Sequence, residues 1–170
     1  MLFVCTANIC RSAYATVRAQ HLLGADAPVL VGSAGTHGWV DHPMDAPMAA
    51  QARARGTDPD AFRSRRLTGA IVTDADLILT AETRHRDFVL EEWPAAVRRT
   101  FTLQQFADLA DASPALDARA LLAEARRLRR PAHRSGDVRD PYGRGPEAAA
   151  ATAAQLEALL AVILPRLAAR

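Results

Sequence analysis

The chain has 170 residues, 49% hydrophobic and 24% charged, with a formal net charge of +2. That is enough to bury one core and too little for two ordinary domains, so a single domain over residues 1–170 is expected. The sequence shows neither an unbroken apolar run of about 18 residues nor a basic stretch ahead of its first apolar residues. The expectation is therefore a cytoplasmic protein without a membrane span or secretory leader.

Residues 1–5 open with Leu2-Phe3-Val4 and predict a strand; an Ala-rich helix is expected over 10–23 and a second strand over 29–33. A helix over 47–55 is stopped by Gly56, a strand spans 76–80, a helix over 82–91 ends before Pro94, and a short strand covers 99–103. Helices at 116–130 and 146–169 close the chain, with Pro146 suited to a first turn and Pro165 set to bend or fray the last. Strands separated by helices imply parallel βαβ units, hence an α/β fold with a doubly wound sheet covered on both faces. All 21 basic residues are Arg. The run Arg126-Arg127-Leu128-Arg129-Arg130 reads as a solvated helix face, since no aromatic residue is interleaved to stack on bases, and no nucleic-acid partner is expected.

The chemistry concentrates between the first strand and first helix, in Cys5-Thr6-Ala7-Asn8-Ile9-Cys10-Arg11-Ser12. Sheets of this kind bind ligands at the carboxyl ends of their strands, where Cys5 falls. A loop there can cradle a tetrahedral oxyanion, its N–H groups turned inward, the helix start adding partial positive charge and Arg11 forking onto two oxygens. The same field favours the thiolate of Cys5, the form that attacks phosphorus. The competing reading of Cys5 is a buried structural thiol. Ser12 can donate to that thiolate or act as a plain cap, and Asn8 can bridge the loop backbone in left-handed geometry. Two cysteines five apart build no disulfide framework and suit a reducing compartment. In the loop over 131–145, Asp137 reads as a turn-maker, whereas Asp140, stiffened by Pro141, is placed to protonate a leaving group and then activate water.

Phe3 through Ser12 resembles the active-site loop of the low-molecular-weight protein tyrosine phosphatases. Ser33-Ala34-Gly35-Thr36 with Trp39, the segment Ala75-Asp76-Leu77-Ile78-Leu79-Thr80 and the late Asp140-Pro141-Tyr142 match further segments in the family's order. The resemblance implies a three-layer fold around a four-stranded parallel sheet, and hydrolysis of phosphotyrosine through a phosphocysteine on Cys5. Arg11 and the loop residues Thr6, Ala7, Asn8, Ile9 and Cys10 would hold the phosphate and Asp140 would be the acid and base. Ser12 would support the thiolate, Asn8 with Ser33 would fix the loop, and Trp39 and Tyr142 would wall an aryl pocket. It further implies no metal or cofactor, a reversible Cys5–Cys10 disulfide, and as partners a phosphotyrosine protein, a tyrosine kinase among the candidates, and phosphate or other oxyanions. Arg65 matches a position at which the family often carries Arg.

Three positions depart from that pattern. Ala7 stands where the family usually has Gly, at about 1 kcal/mol of strain if the position needs positive φ. Phe62 stands where several members carry a His that braces the loop Asn, and Gly143 where some members have a second aromatic. Rival readings are a protein arginine phosphatase, whose members tend to carry Thr where this chain has Ile9, an arsenate reductase of the same fold, whose thioredoxin-coupled members relay oxidation through further cysteines that this chain lacks after Cys10, and a phosphopeptide-binding module that has lost catalysis.

Overall fold

The computed structural model describes residues 1–127 and 136–168. Four parallel strands, β1 (Leu2–Cys5), β2 (Gly32–Gly35), β3 (Ile78–Thr80) and β4 (Thr100–Thr102), lie in the order β2-β1-β3-β4. The register pairs Leu2 with Gly32 and Ile78, and Ile78 with Thr100. Period-two alternation makes both faces apolar. Phe3 and Leu79 pack into one cluster with Tyr14, Met48, Phe106, Leu121 and Leu156, while Leu2, Val4 and Ile78 pack into the other with Leu67, Val72 and Val89.

The first face is covered by α1 (Arg11–Leu23), α2 (Ala46–Arg53), α5 (Leu103–Ala112), α6 (Ala118–Arg127) and α7 (Gly145–Ala168). The second carries α3 (Gly69–Asp74) and α4 (Thr83–Glu92). This is the three-layer, doubly wound α/β architecture. In α7, Ala149, Ala153, Leu156, Leu160 and Ile163 are all fully buried, a stripe with helical spacing that packs against α1, α2 and α5. Its length and a mean hydropathy of 1.6 would by themselves suit a membrane-crossing helix. Here the apolarity serves the core. The helix runs on through Pro165 to Ala168.

Three elements differ from expectation. The second strand starts at Gly32, not residue 29, because its pairing begins opposite Leu2; Met1 N already reaches Leu30 O at 2.8 Å, and beyond it β1 offers nothing to pair with. The apolar run Val29-Leu30-Val31 marks the approach to the strand. Helix α5 was unexpected, yet its signal is present: Thr102 accepts from Gln105 N at 3.1 Å while Gln105 Oε1 accepts from Thr102 N at 2.9 Å, a reciprocal capping box. Helix α3 is a short turn started by Thr68, whose side chain accepts from Ile71 N. Residues 128–130 of the helix expected over 116–130, which end its Arg run, residues 131–135 of the loop over 131–145, and residue 169 of the last expected helix lie outside the described residues.

The sheet order places β1 and β3 at the point where connections leave in opposite directions. The crevice beyond their carboxyl ends is the binding position in such sheets. Residues 5–11 and 81–82 meet there, joined by Ala81 N donating to Val4 O at 2.8 Å.

Candidate active site

From the end of β1 the chain curls through residues 6–10 and enters α1 at Arg11, with Cys10 as N-cap. The carbonyls of Cys5, Thr6 and Ala7 accept from Thr36, His37 and Trp39 N–H at 2.9, 2.9 and 3.3 Å, and Ile9 O accepts from Asp45 N at 2.9 Å. The loop's carbonyls are thus drawn outward. None of the N–H groups of residues 6–10 has an acceptor among the described residues. A Cβ on Gly35 would sit 2.5 Å from Thr6 O and 2.7 Å from Gly38 Cα, so glycine permits this close approach of the 35–39 segment to the loop.

Asn8 holds the curve from inside. It is wholly buried with φ of 60°, the left-handed region that Asn tolerates. Its Oδ1 accepts from Arg65 N at 2.9 Å, and since a backbone N–H only donates, the amide orientation is fixed. Nδ2 therefore donates to Ser12 Oγ and Ser33 Oγ, both at 2.9 Å. Ser12 Oγ also lies 2.9 Å from Cys5 Sγ, within hydrogen-bond reach, and either atom can donate there. Arg65 enters the site through its main chain and supplies the brace that Phe62 cannot. Phe62 instead packs against the core. Ala7 is not among the residues with positive φ, so the strain anticipated there does not arise.

Arg11 is 1% exposed, and two carboxylates hold it from outside. Nη1 donates to Glu82 Oε1 and to Val138 O, the latter at 3.1 Å, and Nη2 pairs with Asp140 Oδ2 at 2.9 Å. Nε is buried with no acceptor among the described residues. Burial alone would raise the Glu82 carboxyl, but Arg11 and Arg84 outweigh it and hold the group below its usual range. Glu82 also caps α4 in a box with His85, whose Nδ1 accepts from Glu82 N at 3.2 Å. That leaves the ring proton on Nε2, which donates to Thr6 Oγ1 at 2.8 Å. Burial, helped by the Arg11 charge, pushes His85 down to about 3, so it stays neutral.

Asp140 also accepts from Tyr142 N at 3.3 Å and lies 3.9 Å from Arg84 Nη2. Trp39 and Tyr142, 45% and 52% exposed, stand edge to face with ring centres 6.1 Å apart. The other loop residues turn inward. Ile9 and Cys10 are buried in the core cluster, and burial followed by the nearby Asp45 carboxylate pushes the Cys10 thiol well above its usual range. Both cysteines are free thiols.

The sequence-predicted residues Cys5, Asn8, Arg11, Ser12, Ser33 and Asp140 thus meet in one constellation. Sequence reasoning missed Glu82, His85 and the backbone of Arg65. Glu82 and His85 carried a signal, an acid and a His three residues apart directly after a strand; a main-chain N–H carries none. Together these groups can bind a tetrahedral dianion over a thiol, with a carboxyl beside it. Among the described residues, no cluster of three or more His, Cys, Asp or Glu is arranged to hold a metal ion.

The sequence model for low molecular weight phosphotyrosine protein phosphatases matches residues 1–117. The low molecular weight protein-tyrosine-phosphatase Etp of Escherichia coli K12 is 42% identical over 86 residues, 50% of this chain and 55% of that protein, so the chain spans about half the length of this relative. A protein-arginine-phosphatase of Geobacillus stearothermophilus is 28% identical over 162 residues, covering 94% of this chain and 90% of the relative. Among solved structures, the YwlE arginine phosphatase from G. stearothermophilus superposes with a TM-score of 0.77 at 27% identity, covering 98% of this chain and 90% of that one. The fold also matches that of the tyrosine phosphatase Wzb from E. coli K30 in complex with sulphate, with a TM-score of 0.75 at 23% identity over 98% and 96% of the two chains.

Proposed function

The chain belongs to the low molecular weight phosphotyrosine protein phosphatase family, and on that premise we propose that it hydrolyses phosphotyrosine in proteins through a phosphocysteine intermediate. The observation that carries this reading is the hydrogen-bonded chain Arg65 N–H, Asn8, Ser12 and Cys5, which sets a hydroxyl against the sulfur at the base of the loop; once that sulfur is a thiolate, Ser12 is the donor. It supports a thiolate both as attacking nucleophile and as leaving group.

The steps then follow from the geometry. The phosphate dianion seats on the free N–H groups of residues 6–10 and on Arg11, whose Nε lacks an acceptor. Cys5 Sγ attacks phosphorus as the P–O bond to the phenol breaks, and Asp140 gives its proton to the departing oxygen. The same carboxylate next takes a proton from water, which attacks phosphorus and returns the electron pair to Sγ. Ser12 holds that sulfur as it leaves. Trp39 and Tyr142 flank the aryl ring at the mouth.

A second reading, phosphoarginine as substrate, has one observation in its favour: the arginine phosphatase of G. stearothermophilus aligns over 94% of this chain, including the Asp140 loop. Ile9, the residue on which the sequence contrast rested, is 5% exposed and packs into the core, which moves discrimination toward the exposed rim. The test is phosphate release from phosphotyrosine, phosphoarginine and phosphoserine peptides, with metal chelated and dithiothreitol present, by wild type, Cys5→Ser and Asp140→Ala. Turnover of phosphotyrosine lost in Cys5→Ser and strongly reduced in Asp140→Ala supports the proposal. Turnover of phosphoarginine alone supports the second reading, and vanadate binding without turnover refutes both in favour of a binding module.

A further inference from the structure

We propose that Asp137 is a positioning residue that sets the angle at which Asp140 meets the leaving group. The inference rests on the reading of Asp140 as general acid. Residues 137–144, up to the start of α7, lie in no helix or strand, so their geometry depends on individual pins. Asp137 supplies the side-chain pin that ties the segment to α4. Its Oδ1 accepts from both the backbone N–H and the hydroxyl of Thr83, at 2.7 and 2.9 Å, in the first turn of α4. A turn-making Asp bonds its own backbone two residues on. This one reaches 54 residues back, to a helix N-terminus where a carboxylate is favoured.

The remaining pins define what Asp137 adds. Val138 N donates to Ala81 O at 2.8 Å, Val138 O accepts from Arg11 Nη1 at 3.1 Å, Arg139 O accepts from Thr152 Oγ1 at 3.1 Å, Asp137 O accepts from Gln155 Nε2 at 3.2 Å, and Asp140 itself pairs with Arg11 Nη2 at 2.9 Å. These keep the segment docked without the Asp137 carboxylate. Loss of that carboxylate therefore loosens, without undocking, one end of the four-residue span that leads to Asp140, and leaves the loop, Cys5 and Arg11 in place. A displacement of about 1 Å at a proton donor is enough to cost roughly a hundredfold in the step that needs it.

The demand for an acid depends on the leaving group. A phenolate needs protonation, and a nitrophenolate departs nearly unaided. The experiment compares kcat/KM, which reports phosphoryl transfer to Cys5, for phenyl phosphate and 4-nitrophenyl phosphate in wild type, Asp137→Ala, Asp137→Asn and Asp140→Ala. Expected for Asp137→Ala is a fall of about ten- to a hundredfold on phenyl phosphate with no more than about a twofold change on 4-nitrophenyl phosphate, and unchanged vanadate affinity. Asp137→Asn keeps the Oδ1 acceptor and recovers most of the phenyl phosphate rate. Thr83→Ala, which removes one of the two donors, gives the same signature at smaller size and serves if Asp137→Ala does not fold. An equal fall on both substrates, or none, overturns the positioning role while Asp140→Ala still shows the leaving-group dependence. If Asp140→Ala shows no such dependence, the general-acid reading fails and this inference with it.

Discussion

Replacing Asn8 by Ala tests the centre of the loop. The side chain is fully buried and makes three hydrogen bonds of 2.9 Å, to Ser12, to Ser33 and from Arg65 N, and each partner is itself buried or main chain. At about 1 kcal/mol for each bond lost, plus about 1 kcal/mol for holding Ala at a φ of 60°, Asn8→Ala should lower stability by about 4 kcal/mol. Asn8→Gly loses the same bonds without the backbone strain. Its looser unfolded chain offsets part of that relief, so it should stand about 0.5–1 kcal/mol above Asn8→Ala. Asn8→Asp accepts where Asn donates. It should draw the Ser12 proton away from Cys5 and reduce kcat/KM more than stability. Urea unfolding with midpoints read at constant slope gives the stabilities, and 4-nitrophenyl phosphate hydrolysis the activities. A loss below about 1.5 kcal/mol for Asn8→Ala, or a Gly variant less stable than the Ala variant, would refute the reasoning.

Gly35→Ala places a methyl 2.5 Å from Thr6 O and 2.7 Å from Gly38 Cα, both main chain, so the loop must shift. Vanadate affinity and kcat/KM should each fall by about a hundredfold, and values within twofold of wild type would contradict the contact. His85 has a folded value of about 3 against an ordinary 6.5, so the unfolded chain takes up the proton first and stability falls as pH drops from 6.5 toward 3. Between pH 7 and 5 wild type should lose about 2 kcal/mol more than His85→Gln, measured by urea unfolding at each pH; an equal loss in both proteins would show that the ring is not held neutral. Trp39→Ala should raise KM for aryl phosphates about fivefold through one lost aromatic contact and leave inhibition by inorganic phosphate unchanged. A parallel rise in the phosphate inhibition constant would place Trp39 in the loop's support instead of the pocket.

Much of this protein is local in origin and therefore legible in its sequence. The apolar Leu2-Phe3-Val4 makes a strand, the Ala-rich stretch after Arg11 makes a helix, and the turn between them forms a loop wherever it occurs, because backbone geometry and burial period act over a few residues. Cys5, Arg11 and Ser12 belong to that one local unit, so their spacing alone pointed to an oxyanion and a thiol. Asp140 was legible as an acid in a stiffened loop. Its place beside Arg11 was not, since 129 residues separate the two and only the packing of α7 and the 136–140 segment against the sheet brings them to 2.9 Å. The true start of β2 depended on what β1 offers to pair with, a property of the partner strand. Glu82, His85, Arg65 and Asp137 act through contacts made across the sheet's carboxyl edge, where groups distant in the chain share hydrogen bonds only after the core has closed. The sequence by itself determined the strand, loop and helix that carry the chemistry; the tertiary structure decided which carboxylates, amides and imidazole surround it, because hydrogen-bond partners are chosen by distance in space and not by distance along the chain.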